Sequence, residues 1–195
     1  MKRITFIILL ISSLAIQGIS QTVIKPSIGM NFTKLSDDPQ SYNQTGRFGW
    51  QIGGTITLGS DFYLEPGIFW MKNNWQLQQL TPDAPKFNND ISSFRIPCFV
   101  GWNVVNRGDD DRNFHIFGGP AAMIVTKTKT ETTGLTPDDF SKFIFGINLG
   151  AGLSISKIFV DCGYEWGLTD ILKNDDNHVK SRGFWLNAGF RLKFL

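Results

Sequence analysis

Apolar and polar residues alternate with a period of two along most of this chain, which predicts strands rather than helices. In Ser27–Phe32, Ile28, Met30 and Phe32 share one face, and Gly29 and Asn31 the other. In Arg47–Leu58, Phe48, Trp50, Ile52, Ile56 and Leu58 alternate with Arg47, Gly49, Gln51, Gly53, Thr55 and Thr57. The same rhythm runs through Leu64–Met71, Phe94–Asn103, Phe145–Ile155, Ile158–Leu168 and Phe184–Phe194. Asn113–Ile124 follows it less cleanly, because Phe117 falls on the polar parity and Gly118-Gly119-Pro120 interrupts the run. Pro66 and Pro97 lie inside strands and are expected to mark bulges, since proline cannot donate to a ladder.

The count is eight strands, most about 10 residues long, the length at which a tilted strand crosses a bilayer. Their connections alternate in length. Gly59–Asp61 and Ser156–Lys157 are tight, and Asn106–Arg112 is a moderate acidic turn. Lys34–Gly46, Asn73–Asp90, Thr126–Lys142 and Thr169–Ser181 are long and polar and are expected to be loops. Thr136-Pro137-Asp138-Asp139 reads as a helix start within the third. Short turns at one end and long loops at the other match transmembrane barrels, with periplasmic turns and external loops.

Which face is apolar decides the class of barrel. Eight strands enclose an interior that side chains just fill. The apolar face carries so many Trp, Phe and Leu residues that it would overfill that interior, whereas the face of Gly, Asn, Thr and Ser fits. The expected fold is therefore all-β, an eight-stranded antiparallel up-and-down transmembrane β-barrel with lipid on its apolar face, rather than a soluble ligand-binding barrel. Closure pairs every backbone polar group, as a bilayer demands. With both termini periplasmic, Trp50, Trp70, Tyr164 and Trp166 fall near the external ends of their strands. Trp102, Phe114 and Phe194 fall near the periplasmic ends, and together they outline two interfacial girdles.

The N-terminus agrees with this destination. Lys2 and Arg3 precede the apolar run Ile4–Ile11, and Gly18 and Ser20 are small residues at signal-peptidase spacing. Residues 1–20 are expected to be a removed signal peptide and residues 21–195 a single barrel domain, because the apolar run is shorter than the roughly 20 residues of a spanning helix. The net charge of +2 and the lack of clustered Lys and Arg argue against nucleic acid as a partner. Cys98 and Cys162 fall on the apolar face of strands that are not neighbours, so they are expected to be free and lipid-facing rather than bridged. Two Cys and two His without close spacing predict no metal site.

Charge on the inward parity is the remaining chemistry. Arg47, Glu65, Arg95, Asp161, Glu165, Arg191 and Lys193 all take that parity. Buried charges persist when paired, so these seven are expected to form a structural network that plugs the lumen; an ion path is the competing reading. His115 shares the parity and is expected to be a hydrogen-bonded interior residue. His178 and Ser181, with Asp170, Asp175 and Asp176 nearby, have the residue types of a hydrolase, but such types are common in any polar loop.

Several segments resemble the PorT-like outer-membrane β-barrel family of Bacteroidota. Leu64-Glu65-Pro66-Gly67-Ile68-Phe69-Trp70 is similar to the family's third strand, Phe94-Arg95-Ile96-Pro97 to its fourth, and Phe117-Gly118-Gly119-Pro120 to its fifth. Asp161-Cys162-Gly163-Tyr164-Glu165-Trp166-Gly167-Leu168-Thr169-Asp170-Ile171 resembles its seventh strand, with Gly163 where the family usually has Arg. The resemblance spans most of the mature chain. It implies a barrel, an outer-membrane address and no cofactor.

The expected function is a non-enzymatic, monomeric outer-membrane barrel with no catalytic residues. It would contact membrane lipid, and other envelope proteins through its external loops. The alternatives are a barrel enzyme acting on lipid or peptide at the outer face, and a small pore.

Overall fold

The computed structural model describes residues 22–35, 42–79, 86–106, 112–130, 141–171 and 180–194. They form β1 (Thr22–Leu35), β2 (Tyr42–Gly59), β3 (Phe62–Gln79), β4 (Lys86–Asn106), β5 (Arg112–Thr130), β6 (Phe143–Ile155), β7 (Ile158–Asp170), β8 (Lys180–Phe190) and β9 (Leu192–Phe194). From β1 to β8 each strand pairs antiparallel with the next, and β1 pairs with both β2 and β8, so the sheet closes. β9 continues β8 in the same register against β1, from Ile24↔Leu192 to Thr22↔Phe194, and completes the eighth stave.

Burial follows the sequence alternation. Ile28, Val100 and Leu149 are 65%, 61% and 61% exposed, whereas Gln51, Arg95 and Asn148 are 1% exposed. A water-soluble fold would reverse that order, so the apolar residues face outward. Paired aromatics crowd the two ends of the outer wall. Trp50 meets Trp70 edge-on at 5.1 Å and Tyr164 meets Trp166 at 4.7 Å; Phe62 stacks on Trp102 at 5.9 Å at the opposite end. On β4 the outward residues Phe94 and Trp102 are eight steps apart. At about 3.3 Å per step and a tilt of about 40°, that is about 20 Å along the barrel axis, close to the ~25 Å apolar band of outer-membrane barrels.

Three expectations change. The segments expected to be long loops are in part strand: β3 runs on to Gln79, β4 begins at Lys86 and β5 reaches Thr130. There the backbone ladders continue beyond the apolar band, so pairing does not require apolar side chains. The helix start at Thr136–Asp139 lies outside the described residues. Pro66 and Pro97 mark no bulge, for pairing skips from Pro66↔Cys98 to Phe69↔Arg95 without a change of register. The register shifts lie elsewhere, between Gly46 and Trp50, Ser92 and Ser93, Asn103 and Val105, and Trp166 and Asp170. At Gly119 φ is +155, and a Cβ there would strike the Cys98 carbonyl, so only glycine lets β5 approach β4 ahead of Pro120.

The third change concerns what fills the lumen. Beside the expected small and charged residues, Tyr63, Phe69, Phe99, Phe117, Phe159 and Trp185 point inward and are buried. Glycine makes the room. Tyr63 faces Gly101 across β3–β4, Phe117 faces Gly150 across β5–β6, and Trp185 faces Gly163 across β7–β8. A Cβ on Gly150 would lie 2.5 Å from the Phe117 ring, and one on Gly163 would lie 2.6 Å from the Trp185 ring. Each ring lies over a backbone that carries no side chain. This explains why Phe117 broke the polar parity, and why glycine stands at position 163.

Candidate functional site

The polar interior is organised around two charged groups separated by aromatic rings. Toward the end with the short turns, Lys25 reaches across the lumen from β1. Its Nζ donates to both Glu65 carboxylate oxygens at 3.1 and 3.3 Å and to Asp161 Oδ2 at 2.7 Å. Thr55 and Thr57 donate to the same Glu65 carboxylate at 2.7 and 3.1 Å. His115 Nε2 lies 2.9 Å from Asp161 Oδ1. The Lys25 ammonium also sits 4.4 Å above the Phe159 ring. Lys25, Glu65, His115 and Asp161 are each at most 5% exposed.

Toward the other end, Arg95 on β4 makes the second group. Its Nε donates to Glu165 Oε2 at 2.8 Å and its Nη2 to Asn148 Oδ1 at 2.6 Å. Trp185 Nε1 donates to the same Asn148 oxygen at 3.0 Å. Gln51 Nε2 donates to Asn187 Oδ1 at 2.5 Å.

Between the groups the rings of Phe99, Phe117 and Trp185 pile across the lumen. Phe99 stacks on Phe117 at 5.2 Å and lies parallel to Trp185 at 6.2 Å, and Phe117 stacks on Trp185 at 5.8 Å. The chain order places them there. On β4 Phe99 lies beyond Arg95 toward the short turns, and on β5 Phe117 follows His115 toward the opposite end. The Arg95 guanidinium sits 5.2 Å from the Trp185 ring and 5.8 Å from Phe99, a cation resting on the aromatic pile.

Of the seven interior charges expected from sequence, the structure brings four into these groups: Glu65 and Asp161 in one, Arg95 and Glu165 in the other. Arg191 stands opposite Lys25 across the closing seam and helps line a small cavity with Tyr63, Glu65 and His115. Lys193 is exposed at the barrel rim, which corrects its assignment to the interior: its parity is inward, but the stave ends there and solvent replaces the lumen. The Arg47 backbone pairs with Thr33, and its side chain lies outside the described residues. Lys25, which bridges two carboxylates, stands before Ser27, where the clear apolar alternation begins, and is not among the expected seven. Carrying the same parity back through Lys25 to Val23 would have found it. Of the hydrolase-like residues, Ser181 is buried and Asp170 half-buried, while His178, Asp175 and Asp176 lie outside the described residues.

The model of the outer membrane protein beta-barrel domain matches residues 19–173, well over half of the chain. The chain belongs to that family. Its match stops before β8, yet β8 and β9 close the barrel. Among solved structures, Neisserial surface protein A (NspA) is similar over 89% of this chain and 97% of its own, with a TM-score of 0.56 at 15% identity. OprG from Pseudomonas aeruginosa is similar over 91% of this chain and 97% of its own, with a TM-score of 0.57 at 13% identity. At such identity these likenesses concern the fold. No curated protein sequence matches the chain significantly. The family and the outward apolar face together place this barrel in an outer membrane.

Proposed function

We propose that this family member is a closed, non-catalytic barrel that serves as a structural or accessory component of the envelope and meets its partners through the segments at the end opposite the short turns. Residues 1–20 act as its export signal, the short turns and both termini face the periplasm, and the barrel works as a monomer surrounded by lipid. Its strand motifs align it with the PorT-like members of Bacteroidota. The observation that carries the reading is the filled lumen. An ion entering it meets the paired charges of Lys25, Glu65 and Asp161, then three stacked rings, then the Arg95–Glu165 pair. Eight strands leave no bore beside such contents.

Planar-bilayer recording tests the closed state. The wild-type barrel is expected to give no stable current steps. Removing two rings, in Phe117→Ala with Trp185→Ala, should produce conductance, and steady wild-type currents would sink the proposal. Crosslinking from 36–41, 80–85, 131–140 and 172–179 in native membranes tests the partner, and a lack of any protein adduct from all four segments would count against it.

A further inference from the structure

On the outer wall, β8, β1 and β2 bring two features into line. The first is a pair of cations. Lys34 on β1 and Arg182 on β8 are Cα partners, both exposed and both on the outward parity of their strands. Like charges directly opposite each other across an antiparallel pair repel. Among the described residues no carboxylate pairs with either. They sit one outward position beyond Phe32 and Phe184, themselves cross-strand partners, and Trp166 stands opposite Arg182 on the β7 side. Aromatics of this kind mark the membrane–water interface, so the two cations stand at headgroup height.

The second feature is an apolar groove on the same three strands, below those aromatics. Ile28, Met30, Trp50, Ile52, Leu186 and Ala188 line it, and it has room for about 540 Å³. Ala188 keeps the floor low, facing Ile28 across the seam. The volume lies in the range of about 300–1,000 Å³ typical of ligand sites. Lys34 is four residues from Met30 along β1. At about 3.3 Å per residue and a tilt of about 40° the cations stand about 10 Å above the groove's upper edge, which leaves Phe32 and Phe184 beside the linkage between a headgroup and its chains.

We propose that this wall is a binding site for a membrane lipid with an anionic phosphate headgroup, Lys34 and Arg182 clasping the phosphate and the groove seating an acyl chain. Charge complementarity selects the occupant. A phosphate between the cations turns a repulsive pair into two attractive contacts, and a zwitterionic lipid provides no net charge to do so. The inference rests on the membrane location and is independent of whether the lumen conducts.

Native mass spectrometry of the full barrel in detergent tests it, with dioleoyl phosphatidic acid, dioleoyl phosphatidylcholine and inorganic phosphate as probes. Wild type is expected to retain phosphatidic acid over phosphatidylcholine by about tenfold or more, the scale set by two interfacial cations. K34Q/R182Q should lose that preference, and A188F should lose the retained phosphatidic acid because the ring fills the groove. Both variants alter outward residues, and a heat-dependent gel shift identifies the folded fraction. Equal retention of the two lipids by wild type, an unchanged preference in K34Q/R182Q, or undiminished retention of phosphatidic acid in A188F overturns the proposal. Displacement of the lipid by inorganic phosphate at equal concentration would also overturn it, by showing a site that reads phosphate alone.

Discussion

Replacing Lys25 by Met should destabilise the barrel by about 3–5 kcal/mol, the cost of removing one partner from a buried charge pair. The structure supports the upper part of that range. Lys25 answers two carboxylates, at 3.1 Å and 2.7 Å, and both are nearly inaccessible to water. At about 4 Å and an effective dielectric of 20, one such attraction is about 4 kcal/mol before desolvation is subtracted. Met matches the length of the lysine stem and keeps its packing, so the loss isolates charge. Glu65 retains Thr55 and Thr57 as donors and Asp161 retains His115, which holds the penalty below that of two bare carboxylates. The assay is urea unfolding of the refolded barrel in lipid vesicles, followed by tryptophan fluorescence and by gel mobility without heating. A triple variant, Lys25→Met with Glu65→Gln and Asp161→Asn, removes the stranded charges and should recover at least half of the loss. An unfolding midpoint for Lys25→Met equal to wild type would refute the reasoning. So would a triple variant weaker than the single one, since it would show that shape rather than charge balance holds the interior.

Two further outcomes follow from the backbone. Gly101→Ala should cost about 1–3 kcal/mol by overpacking, because its Cβ would strike the Tyr63 ring; Tyr63→Ala in the same chain should lessen that cost, and urea midpoints of the four species check it. Ser156 adopts φ +54 in the tight turn between β6 and β7, so Ser156→Gly should gain up to about 1 kcal/mol by relieving left-handed strain, and an unchanged or lower midpoint would contradict this.

How much was legible in advance depended on the range over which each feature acts. Period-two alternation is local, and it alone assigned Ile28, Val100 and Leu149 to one face and Gln51, Arg95 and Asn148 to the other. Strand length and the tight turns at Gly59–Asp61 and Ser156–Lys157 are local as well, so the stave count and antiparallel order could be read directly. The ends of the staves could not. Polar composition beyond the apolar band is the same for a loop as for a ladder rising into water, and only pairing with a neighbour distinguishes Asn73–Gln79 as strand. The interior was legible by residue type and illegible by partner. Glu65, Asp161 and His115 lie on β3, β7 and β5, and nothing local says that Lys25 on β1 meets two of them. Nor does the chain announce that Trp185 lies over Gly163 or Phe117 over Gly150. Those pairs are set by closure and stagger, which place distant residues at the same height in the lumen.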